Sequence, residues 1–176
     1  MIVCLGWGSL VWSQGNLVTK GDWQNNGPRI SVEYLRQSNN GRLTLVIDNK
    51  GVTSQVFWSE MLEKDLELAK EELRKREGNI RRSDVGVWTK GDENPNDIED
   101  LDSWAESIGA SAIIWTALPP KFRGENNRRP DINEAISYLE SLEREPRALA
   151  EEYIRRTPAQ IRTPYRIKFE EYFGWT

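Results

Sequence analysis

The spacing of apolar residues along this chain shifts from a period of two to a period of three and four soon after Gly51, and that shift limits the folds open to it. From Ile30 to Ser38, Ile30, Val32 and Tyr34 alternate with Ser31, Glu33 and Leu35, the two-residue period of a strand. Asn39-Asn40-Gly41 follows, residues tolerant of positive φ as a tight hairpin demands, and Arg42 to Asp48 reads as the returning strand. Ile2 to Trp7 is an earlier apolar strand ending at Gly8. Asn49-Lys50-Gly51 is another turn, and Thr53 to Glu60 one more strand. The first third of the chain therefore predicts an antiparallel meander. Leu62, Leu66, Ala69 and Leu73 then recur at helical spacing, predicting a helix from Leu62 to Arg76 with Gly78 at its C-terminal cap.

Beyond it the pattern predicts a strand at Val85–Trp88, a helix at Asp97–Ile108 and a strand at Ser111–Leu118, closed by Pro119-Pro120. Helices follow at Asp131–Leu142 and Pro146–Arg156, and a last amphipathic stretch after Pro164 ends in Phe173-Gly174-Trp175. No repeat and no long linker divides the chain. Its 176 residues suit one domain, which buries roughly 70% of its unfolded surface. The class is α+β: a β core over 1–120 and a C-terminal helical extension over 121–176 packed on it.

Chemistry is narrowed by what is missing. The chain has no histidine and one cysteine, Cys4, so neither an imidazole-based triad nor a structural zinc site can be built. No metal and no cofactor is implied. Cys4 lies in an apolar strand and reads as a buried small hydrophobe in a reducing compartment, with the cytoplasm as the expected location. The N-terminus lacks the basic leader of a signal peptide, and no apolar run approaches the roughly 18 residues of a membrane span, so neither export nor a membrane partner is expected. A net charge of −4 argues against nucleic acid. The doublets Arg81-Arg82, Arg128-Arg129 and Arg155-Arg156 read as solvated faces. Eight tryptophans suggest a large aromatic core, some of it available as a small-molecule pocket wall. The expected partner is a small-molecule substrate or ligand; oligomeric state leaves no mark on the sequence.

With imidazole absent, proton transfer falls to carboxylates, lysines and tyrosines. Glu77 is placed unusually. At about 100° per residue it lies about 20° from Leu66 and about 40° from Leu73 around the helix, continuing the apolar stripe. A carboxylate in the last turn of a helix also meets the negative end of its dipole. Both effects favour the neutral acid and suit general acid/base work; fraying outward or pairing with Lys70 is the plain alternative. Gly6-Trp7-Gly8-Ser9-Leu10, directly after the first strand, lets the backbone approach a ligand and can present consecutive N–H groups to an anion. A simple strand-end turn is the plain alternative there. Arg36 and Ser38 share one face of their strand.

In this order these features resemble the gamma-glutamylcyclotransferase-like family. That family opens on a strand running into a Tyr-Gly-Ser-Asn-Leu-type loop, here Trp7-Gly8-Ser9-Leu10. It continues with a strand pair, a strand similar to Val-x-Gly-x-Leu-Tyr, here Gln55-Val56-Phe57-Trp58, and a helix ending in Glu-Gly, here Leu73-Arg74-Lys75-Arg76-Glu77-Gly78. The likeness covers roughly the first 90 residues. Trp7 stands for the tyrosine, the loop asparagine is missing, and Arg74 stands where an aspartate is usual. The helices from Asp131 onward have no counterpart in the small family members.

The resemblance implies a small mixed β-barrel with helices packed outside and an added C-terminal helical segment. Its pocket would lie between the first loop and the helix-end glutamate. It implies an enzyme that cleaves a gamma-glutamyl or related amide by attack of the substrate's own amine. Glu77 would be the general acid/base, and Trp7, Gly8, Ser9, Leu10, Arg36 and Ser38 would line the substrate site. The alternative is a non-catalytic protein that binds a small molecule or nucleotide-type ligand in the same pocket. A third reading makes the C-terminal aromatics Tyr165, Phe169, Tyr172, Phe173 and Trp175 a partner surface, against the plainer one in which they dock on the body of the protein.

Overall fold

A computed structural model describes residues 1–176 as two mixed sheets with five α-helices. Strand β1 (Ile2–Gly6) runs into a 3-10 turn at Ser9–Val11, and β2 (Thr19–Gln24) follows. Next come β3 (Arg29–Gln37), β4 (Leu43–Ile47), β5 (Val52–Gln55) and β6 (Phe57–Met61). Helix α1 (Leu66–Arg76) precedes β7 (Val85–Thr89), β8 (Ile98–Glu99), α2 (Leu101–Ile108) and β9 (Ala112–Thr116). The chain closes with β10 (Lys121–Phe122), β11 (Glu125–Asn126), α3 (Ile132–Ser141), α4 (Arg144–Arg156) and α5 (Pro164–Phe173).

The first sheet has the order β2-β6-β1-β9-β7, with β1 and β9 parallel. In the second, β11, β10, β3 and β4 lie in that order, and β5 and β8 also pair with β3. The expected β3–β4 hairpin is present, but β1 belongs to the other sheet, so the expected single meander is in fact split between two. Strand β4 and then β5 pair along β3, Val32 opposing Ile47 in one and Val52 in the other, with residues 48–51 looped out between them.

The sheets meet at one corner, and the chain passes it twice. Val56 separates β5 from β6, donating its N–H to Pro28 O at 3.0 Å and accepting from Gly27 N–H at 2.9 Å. A Cβ on Gly27 would lie 2.4 Å from Val56 O, so only glycine admits this crossing. Reading Thr53 to Glu60 as one strand misses the crossing, because two-residue alternation does not record which sheet a strand joins.

At the opposite corner the sheets are not hydrogen-bonded strand to strand, so the expected β-barrel is not closed. Side chains span that gap: Trp7 Nε1 donates to Leu45 O at 3.3 Å, and Leu45 N–H donates to the Tyr153 phenol oxygen at 3.3 Å. Both backbone groups of Leu45 are thereby satisfied on the free side of the edge strand β4.

Alternation along β1 sorts its side chains. Val3 and Leu5 enter the large core cluster, while Ile2 and Cys4 enter a smaller one beneath α1 with Ala69 and Leu73. Helix α1 begins later than its spacing predicts. Asp65 caps it by accepting from Leu68 N–H at 3.0 Å, and Leu62 is exposed, its N–H bonded to Val18 O. Helix α2 likewise starts at Leu101, because Ile98 pairs with Ile30 of β3.

The C-terminal helices cover β3. Tyr34 meets Tyr153 of α4 and Phe169 of α5 edge to face, with centroids 6.1 and 5.6 Å apart. Its neighbour Glu33, expected on the alternate face of a half-exposed strand, is buried and accepts from the Thr163 hydroxyl and from Tyr165 N–H at the start of α5. Phe169 and Trp175 are buried in the large core cluster, and Tyr172 alone of the five C-terminal aromatics is exposed. These aromatics thus dock on the body of the protein. No helix is long and apolar enough to cross a membrane.

Candidate functional site

The unclosed corner is a cavity of about 770 Å³. Its floor is the end of β1 and the turn after it, one wall is the β3–β4 hairpin, another the end of α1, and α4 covers it. Trp7, Gly8, Ser9, Leu10, Arg36, Ser38 and Glu77 all line it. Residues that lie up to 70 positions apart in the sequence are gathered here by topology. Strand β1 points its C-terminal end into the gap, and α1, lying on the outer face of the first sheet, ends beside the same loop.

Glu77 is the C-terminal cap of α1, its N–H bonded to Leu73 O at 3.0 Å, and the following Gly78 turns the chain at φ +82°. Its side chain is 16% exposed and ion-paired with Arg76. The expected alternative partner, Lys70, is bonded instead to Glu67 at 2.7 Å. Arg76 also donates to the Ser9 hydroxyl at 3.3 Å and to Ser13 O, so one guanidinium ties the helix-end carboxylate to the first loop.

In the first loop, Gly8 is explained by a close approach. A Cβ there would lie 2.2 Å from Tyr153 Oη. Tyr153 is 3% exposed, edge-on to Trp12 at 5.5 Å, with the Arg42 guanidinium 5.4 Å over its ring. Burial pushes its phenol up to about 12; Glu77 adds to the rise, while the bond from Leu45 and the charges of Arg42 and Arg76 oppose it. The phenol is therefore a protonated donor at neutral pH. The Cys4 thiol, under the loop, is pushed well above its ordinary value by burial first and by Glu77 second. Arg36 is held below the usual arginine value, chiefly by burial, with the Arg81 charge adding to it and Asp84 and Glu77 opposing. Cys4, Arg36 and Tyr153 thus all respond to the Glu77 charge.

Charged groups in the lining are four arginines (Arg36, Arg42, Arg76, Arg156) and two glutamates (Glu77, Glu152). The cavity therefore favours an anion while keeping one carboxylate at its inner end. Groups of three or more acidic, thiol or imidazole side chains suited to a metal ion do not occur in the chain.

Sequence reasoning missed Tyr153, Arg42, Arg76 and Trp12. Tyr153 sits in the apolar stripe of α4 with Ala150, where periodicity reads it as core; a phenol in such a stripe still carries a polar end that must find a partner. Arg42 was within reach, since the hairpin register sets it opposite Ser38, which donates its N–H to Arg42 O at 2.9 Å. Comparison with protein-family models, with curated proteins and with solved structures finds no match for this chain, so its function rests on this geometry.

Proposed function

We propose that the cavity is the active site of a gamma-glutamylcyclotransferase-like enzyme, in which a gamma-glutamyl or related amide is cleaved by its own α-amine with Glu77 as general acid/base. One observation carries this reading: the first loop, the Arg36–Ser38 strand end and the helix-end Glu77 converge on one cavity that holds a carboxylate amid excess positive charge. In such a reaction the amine nitrogen bonds to the γ-carbonyl carbon, the amide C–N bond breaks, and 5-oxoproline and an amine leave. The protein need supply no nucleophile.

Glu77 would accept the ammonium proton and return it to the departing amine, a role typically worth 10²–10⁴-fold. Arg76 would fix that carboxylate against the loop. The N–H groups of Ser9 and Leu10, at the start of the 3-10 turn and so without partners within it, would hold the substrate carboxylate or the developing oxyanion. Ring closure brings attacker and carbonyl together in one molecule, which supplies a large part of the acceleration. The fine fold, an opened form of that family's barrel, belongs to the same proposal.

The Arg76–Glu77 ion pair also supports a second reading, a binding protein without turnover, because the carboxylate already has a strong partner. Purified protein assayed for 5-oxoproline release from gamma-glutamyl amides separates the two. The enzyme reading expects turnover that falls at least 100-fold in folded Glu77→Gln. Equal rates in the variant, or binding of the amide with no release, would sink it.

A further inference from the structure

We propose that the β3–β4 hairpin and α4 form an anion subsite in this cavity, where Arg36, Arg42 and Tyr153 together take a carboxylate or phosphate group of the ligand. The proposal needs the cavity to be a ligand site but does not depend on turnover at Glu77.

The charges of the lining divide into two kinds. Arg76 is paired with Glu77, and Arg156 with Glu152 at 3.0 Å. Neither Arg36 nor Arg42 has a carboxylate within ion-pair distance, although Asp84 and Glu77 act on Arg36 from further away. Arg36 donates one bond, to Pro119 O at 2.7 Å, and Arg42 one, from Nε to Asn40 Oδ1 at 3.0 Å. A guanidinium carries five N–H donors, so most of both forks is unused.

The two lie on one face. Arg36 opposes Thr44 in the register, Ser38 opposes Arg42, and residues two apart on a strand share a side, so Arg36 and Arg42 are diagonal neighbours across the hairpin. Burial already disfavours the charge on Arg36, and the nearby Arg81 charge adds to that. An anion bound against this face relieves the cost at Arg36, and the planar fork matches the oxygens of a carboxylate or phosphate.

Tyr153 adds a third, independent donor. Its oxygen accepts from Leu45 N–H, but its own O–H donates to no protein group, although the side chain is almost wholly buried against the cavity. Its ring lies beneath the Arg42 guanidinium. A buried hydroxyl with an unused proton beside the Arg42 guanidinium, in a lining that also holds Arg36, makes a site built for oxygen acceptors. It also gives the C-terminal extension a part in recognition, since α4 supplies the phenol.

The test is titration calorimetry at fixed ionic strength with two probes, inorganic phosphate and glutarate, on the full chain. Saturable binding of one or both is expected, and which one binds identifies the group. Arg36→Gln and Arg42→Gln should each weaken it roughly tenfold or more and Tyr153→Phe roughly threefold, while Lys168→Gln, a charge of α5 in an exposed pair outside the cavity, should stay within about twofold. Glu77→Gln keeps the subsite and should still bind, so a failed turnover experiment and a failed anion experiment are distinct results. Variants are compared after matching their thermal midpoints and circular dichroism to wild type. No saturable binding of either anion, wild-type affinity in both Arg36→Gln and Arg42→Gln, or an equal loss in Lys168→Gln would overturn the proposal.

Discussion

Replacing Gly8 by alanine puts a methyl group where the Tyr153 phenol oxygen already sits, 2.2 Å from the new Cβ and 3.2 Å from the ring carbon behind it. Ordinary contact needs more than an ångström beyond the first of these distances, so the phenol must withdraw. Withdrawal breaks its bond to Leu45 N–H, 3.3 Å long, and leaves that buried donor unpaired. An unpaired buried donor costs about 1–3 kcal/mol, and the overpacking that remains once the phenol has withdrawn adds about 1 kcal/mol, the low end of its range. Gly8→Ala should therefore lose roughly 2–4 kcal/mol of stability, read as a lower urea midpoint at unchanged slope. Backbone strain does not enter, because Gly8 has φ −126°. The decisive comparison is made in a Tyr153→Phe background. There the oxygen is gone, the remaining 3.2 Å contact needs only a shift of a few tenths of an ångström, and Gly8→Ala should cost less than about 1 kcal/mol. The two substitutions should thus be coupled by about 1–3 kcal/mol; additivity within about 0.5 kcal/mol would refute the claim that Tyr153 dictates the glycine.

Three further outcomes are expected. Burial raises the Glu33 carboxyl above its ordinary value, so between an unfolded value of about 4.3 and the higher folded one the native state holds the extra proton. Wild-type stability relative to Glu33→Gln should accordingly fall as pH rises from about 4.3 through that range, measured as urea midpoints at each pH; a constant or rising difference contradicts it. Phe169→Ala, at a fully buried ring packed on Tyr34, should cost about 3–5 kcal/mol, and a loss below 1 kcal/mol would return the C-terminal aromatics to the status of a free surface. Tyr153→Phe should slow 5-oxoproline release or weaken substrate binding far less than the 100-fold or greater loss expected of Glu77→Gln, since Glu77 and not the phenol is the group assigned to proton transfer; an equal loss in the two variants would reverse the assignment.

Much of the local structure was legible because its causes are local. Asn39-Asn40-Gly41 makes its hairpin with Gly41 at φ +86°, and the stripe of α1 buries Ala69 and Leu73 as its spacing requires. Glu77 was found the same way, from its angle on that helix. What escaped depends on partners distant in sequence. Val56 looks like any strand residue, and only its bonds to Gly27 and Pro28 make it the point where the chain changes sheets. The two sheets stay unjoined at the corner where Trp7 and Tyr153 satisfy Leu45, a relation between three residues that no periodicity contains. Glu33 follows the alternation of β3 faithfully, yet its face is covered by a helix that begins 130 residues later, as its bond to Thr163 shows. The candidate site followed the same division: its loop and its carboxylate were visible in the sequence, whereas the arginine that ties them together and the phenol over them became visible only with the fold.

The central claim is that this cavity turns over an amide and does not merely hold it. Mass analysis of the intact protein and of its supernatant, after incubation with an excess of a gamma-glutamyl amide, tests that directly. The expected result is 5-oxoproline and free amine accumulating well beyond one equivalent per chain with wild type, and only intact amide with Glu77→Gln. Intact amide held at one equivalent by wild type and variant alike, with no 5-oxoproline formed, would contradict it.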